Sequence, residues 1–196
     1  MAIVMCRDSD NTLHQLWAQD QAATCAVASF WMARNQAKQM TVNQSEWALA
    51  WGMYQRVVQG MSLAPSPAPA PMSLDPRAHQ NNQTSFGNMF SQAGTYMSQV
   101  AQVLRSDGLS VTHLTGFAPG TTVQAARLSE TTPAIVLLGW YNGANRAGGH
   151  FIVASRVTRA GRIVYLDPWG GRLSEMGGGP QYQGTGMFEQ VLYLSS

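Results

Sequence analysis

The C-terminal third of the chain contains four segments rich in β-branched and apolar residues, separated by turn-forming residues. The segments are 133–140, 150–158, 162–168 and 187–195. Because such side chains fit the surface of a pleated sheet, the pattern predicts four strands. Residues 159–161 form a tight-hairpin candidate between the second and third segments, which would make these two strands antiparallel. A fold without a β-sheet is therefore excluded.

The chain before about residue 110 has the pattern of helices instead. Segments 22–38, 45–59 and 93–106 are predicted helices, and the first is rich in Ala and apolar on nearly every side. A helix of that kind is buried. Residues 109–115 alternate like a short strand, and 121–130 is a candidate short helix. We expect an α+β fold in which a helical half, about 1–110, packs its central buried helix on an antiparallel sheet formed by about 110–196.

The segment 61–77 holds five of the nine prolines, so it cannot form a helix or a central strand. A polar stretch follows it. We interpret 61–90 as a Pro-rich surface insertion in a single domain that spans 1–196, a length typical of one domain.

Composition excludes several classes of protein. The net charge is only +2 and no Lys/Arg cluster is present, which argues against nucleic acid as a partner. No apolar run reaches the roughly 18 residues of a membrane-spanning helix. The N-terminus lacks the pattern of a cleaved signal peptide. His14, His79 and His113 have no ligand-like spacing with cysteines or carboxylates, so we expect no metal site and no cofactor.

Of the two cysteines, Cys6 has no partner motif, whereas Cys25 falls in the first turn of the predicted buried helix. A reactive cysteine needs a thiolate, and a helix N-terminus or an imidazolium stabilises one. The alternative is that Cys25 is a buried small hydrophobe, as most free cysteines are.

His150 begins a predicted strand, and Asp167 ends the next one along the chain. If the two strands pair as a hairpin, the two side chains can be neighbours, and a carboxylate beside a histidine orients its ring. Gln19 lies six positions before Cys25 and could donate to an oxyanion together with the Cys25 N–H. Gln21 is a weaker candidate for the same role. Each residue also has an ordinary structural explanation, such as a turn-forming Asp before Pro168.

Gln19, Cys25, His150 and Asp167, in this order, resemble the pattern of the papain-like cysteine peptidases, as does the Trp169-Gly170 pair after the Asp. GGHFIVASRV and GRIVYLDPWGG are most similar to bacteriocin leader peptidases and to bacterial effector or toxin proteases. The resemblance covers about 15–38 and 133–170. It implies that Trp169 shields the contact between His150 and Asp167.

The resemblance implies a cysteine protease that hydrolyses peptide bonds of a protein substrate by a Cys-His-Asp mechanism. It further implies a bacterial effector or antibacterial toxin, secreted by a signal-independent route into a target-cell cytoplasm, with an inhibitor or immunity protein as a possible partner. A cytoplasmic protein is the alternative localisation. Two other functions stay open, a peptidoglycan amidase of the same fold and a catalytically silent peptide-binding domain.

Overall fold

A computed structural model describes residues 2–41, 44–60, 94–184 and 186–195 of the 196. The predicted Pro-rich insertion 61–90 and His79 lie outside these ranges. Within them, no helix is both long enough and apolar enough to cross a membrane.

The described chain contains three α-helices and nine β-strands. The helices are α1 (Cys25–Ala37), α2 (Glu46–Gly60) and α3 (Met97–Ser106). The strands are β1 (Ala2–Arg7), β2 (Leu13–Ala18), β3 (Ser110–Leu114), β4 (Ala134–Asn142), β5 (Asn145–Val157), β6 (Ile163–Asp167), β7 (Arg172–Met176), β8 (Gln181–Tyr182) and β9 (Gly186–Ser195).

The strands form two antiparallel sheets. β1 and β2 make a separate hairpin. The large sheet has seven strands, in the order β3-β9-β4-β5-β6-β7 with β8 paired to β9. Each of the four strands predicted from the β-branched segments is present, and β5 and β6 pair as the predicted hairpin. The predicted α+β class with an antiparallel sheet is confirmed.

Helix α1 is the centre of the larger core. Eleven of its residues are buried, including Phe30 and Trp31, which are wholly inaccessible. The helix packs on the face of the sheet that carries Phe151 and Val153. The opposite face of the sheet is also covered, by a second cluster that includes Val136. Because both faces are buried, the central strands are apolar almost throughout, which explains their clear signal in the sequence.

Three elements differ from the sequence expectation. Residues 2–18 of the predicted helical half form the β1–β2 hairpin. Residues 121–130 contain only a single 3-10 turn, Ala125–Arg127, in place of a short helix. The glycine-rich segment 177–186, whose composition predicts a flexible loop, includes the short strand β8. The β1–β2 pairing is local, but β2 packs against α1, β6 and β7, and β8 is a two-residue strand paired with β9, so the sequence pattern alone does not specify these elements.

Candidate active site

Cys25 is the first residue of α1, so its backbone N–H is among those at the positive end of the helix dipole. Thr24 occupies the N-cap position but makes no side-chain cap hydrogen bond to the helix. The first turn of α1 also contains no acidic residue. Cys25 is 8% exposed and its thiol is free. The start of the helix therefore presents a thiol beside backbone donors that no N-cap side chain occupies.

His150 and Asp167 come together at one end of the β5–β6 pair. Val153 of β5 stands opposite Leu166 of β6, so Asp167 lies diagonally across from His150. The His150 Nε2 atom lies 2.7 Å from Asp167 Oδ1, and both residues are buried. The sequence prediction that these side chains are neighbours is met by this geometry.

The turn after β6 fixes the Asp167 carboxylate. The backbone N–H of Trp169 donates to Asp167 Oδ1 at 2.8 Å. Gly170 and Gly171 then adopt φ values of 73° and 61°, which favour glycine. A Cβ on Gly171 would also collide with Val4 of the β1–β2 hairpin. The two glycines thus allow the chain to turn tightly enough to place Trp169 over the site.

The charge on His150 follows from its partners. Burial disfavours the protonated imidazole, but hydrogen bonds to Asp167 and Cys25, and electrostatic attraction by the same two groups, raise the pKa of His150 to about 9. His150 therefore carries a proton at neutral pH. Since Nε2 is bonded to Asp167, Nδ1 is the ring nitrogen left for Cys25. The structure thus joins Cys25, His150 and Asp167 in one chain of contacts.

Two tryptophans enclose the His150 ring. Trp169 meets it edge to face, with ring centroids 5.9 Å apart and an interplanar angle of 79°. Trp140, at the end of β4, lies nearly parallel to it at 6.0 Å and 19°. Trp169 is the more accessible of the two, with 53% of its surface exposed. The sequence pointed to Trp169 but assigned no role to Trp140, although the Gly139-Trp140 pair at the end of the predicted strand 133–140 is a visible signal.

Gln19 directly follows β2, and its side chain is turned toward its own loop. Its Nε2 atom donates to the carbonyls of Gln21 at 2.8 Å and Ala22 at 3.2 Å. Its Oε1 atom is buried and has no hydrogen-bond partner among the described residues. Its backbone N–H donates to the Pro168 carbonyl at 3.0 Å, which ties this loop to the turn after Asp167. Gln19 is therefore at the site, but in this structure its amide hydrogens are engaged with the loop.

Glu46, the first residue of α2, was not singled out from the sequence. It is 5% exposed and accepts hydrogen bonds from the backbone N–H groups of Asp20 and Gln21. Burial raises the pKa of Glu46, and hydrogen bonds from Thr24, Asp20 and Gln21 partly offset that rise. In sequence this residue is an ordinary acidic group in the first turn of a helix, so only the tertiary structure identifies its position.

Tyr182 is a second residue that sequence reasoning missed, because 177–186 was interpreted as a loop. Burial raises the pKa of Tyr182 to about 12, and a smaller part of this rise comes from the charge of Asp167 and from a hydrogen bond to it. The phenol is thus a neutral neighbour of the Asp167 carboxylate at physiological pH. No short-range pattern links residues 167 and 182, so the sequence offers no signal for this contact.

A cavity of about 570 Å³ opens beside Cys25. That volume is within the usual range for small-molecule and side-chain pockets. Its wall is mainly apolar and aromatic and includes Met97, Leu114, Phe117, Leu137, Trp140 and Phe151. Phe117 and Tyr96 at the cavity are strongly exposed, at 54% and 64%. Large exposed aromatic side chains around a cleft are typical of a recognition surface.

The polar part of this cavity includes Arg146, which is held by a buried carboxylate. Glu189 is wholly inaccessible and binds Arg146 through two hydrogen bonds, of 2.7 Å and 2.8 Å. The Tyr141 hydroxyl donates to the same carboxylate at 2.5 Å. The bidentate geometry fixes the guanidinium on the cavity wall and neutralises its charge locally.

The described residues contain no group of three or more His, Cys, Asp or Glu side chains that could hold a metal ion. His14 instead bonds Asp8, with Nε2 3.0 Å from Oδ2, and Cys6 stands opposite His14 in the β1–β2 hairpin. Cys6 is a free cysteine. The described residues thus contain a second buried His–Asp pair, His14 with Asp8, besides His150 with Asp167.

The chain matches no protein-family model. A search of curated proteins also finds no match.

Proposed function

We propose that this protein is a cysteine protease in which Cys25 is the nucleophile, His150 the acid and base, and Asp167 the residue that orients His150. The observation that carries the proposal is the position of His150, which contacts the thiol on one side and the carboxylate on the other. A thiol at a helix N-terminus beside a protonated imidazole is the arrangement that activates cysteine nucleophiles.

In the proposed reaction, the Cys25 thiolate attacks the carbonyl carbon of a peptide bond and forms a tetrahedral oxyanion. Protonated His150 then donates its Nδ1 proton to the amide nitrogen, the C–N bond breaks, and the amine leaves. His150 next removes a proton from water, which attacks the Cys25 thioester. The C–S bond breaks, and release of the carboxylic acid restores the pair.

Asp167 and the two tryptophans serve the same step. The 2.7 Å bond from Nε2 holds the imidazole so that Nδ1 faces the thiol, and it stabilises the positive charge. Trp140 and Trp169 restrict the ring from two sides. Restriction of the ring keeps the proton donor in the orientation that the leaving nitrogen requires.

We also propose that the α+β fold of this chain is papain-like. Its support is the architecture: the cysteine begins a buried central helix, and that helix packs on an antiparallel sheet whose strand carries the histidine. The aspartate follows on the adjacent strand.

A polypeptide is the substrate that best fits the cavity. The apolar cavity next to Cys25 can accept a hydrophobic side chain, and the exposed aromatics Tyr96 and Phe117 offer further contact area. A substrate that is extended beyond the cleaved bond would use both features.

The proposal is tested by hydrolysis of fluorescein-labelled casein. We expect Cys25→Ala and His150→Gln to reduce the rate by about three orders of magnitude. His14→Gln is the matched control, because His14 belongs to the other buried His–Asp pair. It should keep the parent rate at a temperature where all variants are folded by circular dichroism. A Cys25→Ala variant as active as the parent would refute the mechanism.

Alkylation of the parent by limiting iodoacetamide at about pH 6, where an ordinary thiol is almost wholly protonated, gives a second test that needs no substrate. We expect Cys25 to be labelled much faster than Cys6, and to lose that advantage in His150→Gln but not in His14→Gln. Equal, slow labelling of both cysteines in the parent would contradict the proposed pair of thiolate and imidazolium.

A further inference from the structure

The loop 19–24 connects β2 to α1 and delivers the nucleophile. It is anchored at its start by the backbone bond from Gln19 to the Pro168 carbonyl. Within it, the Gln19 amide bonds the carbonyls of Gln21 and Ala22. Any donor to an oxyanion at Cys25 depends on the path of this loop.

Glu46 reaches this loop from α2, which lies more than 20 residues further along the chain. Its Oε2 accepts the Asp20 N–H at 2.8 Å, and its Oε1 accepts the Gln21 N–H at 3.1 Å. A buried carboxylate is costly unless several donors satisfy it, so its presence here requires this set of partners. The same contacts hold two consecutive peptide groups in one orientation.

Glu46 also accepts a hydrogen bond from the hydroxyl of Thr24. The Thr24 Oγ1 atom lies 2.5 Å from Glu46 Oε1 and 2.8 Å from the Gln21 carbonyl. A threonine at the N-cap normally accepts a hydrogen bond from the first turn of its helix, with an extended backbone. Thr24 instead has φ −97° and ψ 15° and caps nothing in α1. The hydroxyl that would satisfy the start of the helix is thus directed away from it.

We propose that Glu46 is a positioning residue for the oxyanion site: its carboxylate fixes the peptide groups of residues 20 and 21 and holds Thr24 away from the first turn of α1. The backbone donors at Cys25 are thereby left for the reacting carbonyl oxygen. This inference rests on the proposed protease function. Glu46 itself does not touch the substrate in this scheme, and it acts through the loop and Thr24.

The variant Glu46→Gln keeps the size of the side chain but replaces one acceptor oxygen with an N–H donor that faces other donors. Thr24→Val removes the hydroxyl at nearly constant volume. Glu175→Gln is the matched control, because Glu175 also accepts a backbone N–H and a hydroxyl, both from Ser9, at 2.6 Å and 2.7 Å. Glu175 lies on β7 and has no part in the proposed reaction.

Three readouts are compared for these variants. In casein hydrolysis we expect Glu46→Gln to lower kcat by about 10- to 100-fold, a part of the loss that follows removal of an oxyanion donor, with KM little changed. Alkylation of Cys25 by iodoacetamide forms no oxyanion, so its rate should stay within about threefold of the parent. Hydrogen exchange of a peptide that covers 19–24 should become faster. Thr24→Val leaves no hydroxyl that could occupy the helix donors, so its loss of kcat should be smaller than that of Glu46→Gln, and Glu175→Gln should change none of the three.

Unchanged exchange in the 19–24 peptide of Glu46→Gln would overturn the inference, whatever the activity. An equal loss of kcat and of alkylation rate would also overturn it, because a merely structural role predicts that result. If the parent shows no Cys25-dependent hydrolysis, the proposed function fails, and the role of Glu46 in positioning the oxyanion site fails with it. Faster exchange in Glu46→Gln would then support only the fixing of the loop, so the two failures are distinguishable.

Discussion

Replacement of Asp167 by Asn tests the electrostatic centre of the site. The carboxylate bonds His150 Nε2 at 2.7 Å and is 8% exposed, so its charge is poorly screened by solvent. Asn keeps the shape and an acceptor oxygen but removes the negative charge. The protonated form of His150 should therefore lose the charge-assisted hydrogen bond that raises its pKa most, and the pKa of His150 should fall well below that of the parent.

The magnitude follows from the pKa of His150, which is about 9 in the folded protein against an ordinary value of 6.5. A difference of this size corresponds to roughly 3 kcal/mol of folding stability, shared between Asp167 and Cys25. Because the folded-state pKa is the higher one, this stability is fully present below pH 6.5. It is lost as the pH rises through about 9. We expect Asp167→Asn to remove about 1–2 kcal/mol of it.

Two measurements check this expectation. Ring resonances of labelled histidines, followed from pH 5 to 10, give the midpoint for His150, which His150→Gln identifies among the four histidines. Urea unfolding at pH 6 and pH 9 gives the change in stability over this window. The parent should lose more stability across it than Asp167→Asn does. A parent midpoint near 6.5, or a midpoint that Asp167→Asn leaves unchanged, would refute the reasoning.

Three further outcomes are expected. If the Gln19 amide turns to the oxyanion, Gln19→Ala should lower kcat for casein by about 100-fold. Gln21 is exposed, so Gln21→Ala should have little effect, and equal effects of the two variants would exclude Gln19 as an oxyanion donor. Arg146→Met leaves the Glu189 carboxylate buried without its cation, so it should reduce the free energy of unfolding by about 2 kcal/mol. The loss is smaller than for a fully buried pair because Arg146 is partly exposed, and unchanged urea unfolding would contradict this prediction. Trp169→Ala removes a ring contact worth about 1 kcal/mol, so it should slow hydrolysis roughly fivefold with little change in thermal stability. An unchanged rate would show that the orientation of the His150 ring does not depend on Trp169.

The sequence predicted the parts of this fold whose signals are local. The strands β4, β5, β6 and β9 are buried on both faces along their central residues and are mainly apolar there. The helix α1 is apolar on nearly every side because it is buried in the larger core. The pairing of β5 with β6 follows from one short turn, and this pairing places His150 near Asp167. Residue type and chain order were thus enough to identify these two side chains as neighbours.

The remaining parts are set by tertiary packing, which the local pattern of residues does not show. Strand β1 has an outer face with exposed Ile3 and Met5, so its burial pattern is weak. Glu46 is identified only by the two peptide groups and the hydroxyl that reach it from the 19–24 loop. Tyr182 lies near Asp167 because its ring packs against Tyr165 of β6 and its hydroxyl accepts a hydrogen bond from Ser174 of β7. None of these relations leaves a periodic trace in the sequence, since each is set by packing.

The burial of α1 on all sides determines how the site is lost on heating. A nucleophile on a surface loop can be displaced by a small local excursion that costs little free energy. Cys25 begins a helix whose side chains form the centre of the larger core, so the helix cannot separate from His150 unless that core opens. Thermal inactivation of this protein should therefore coincide with its global unfolding transition, and partial warming should leave the proportion of competent molecules nearly constant up to that point.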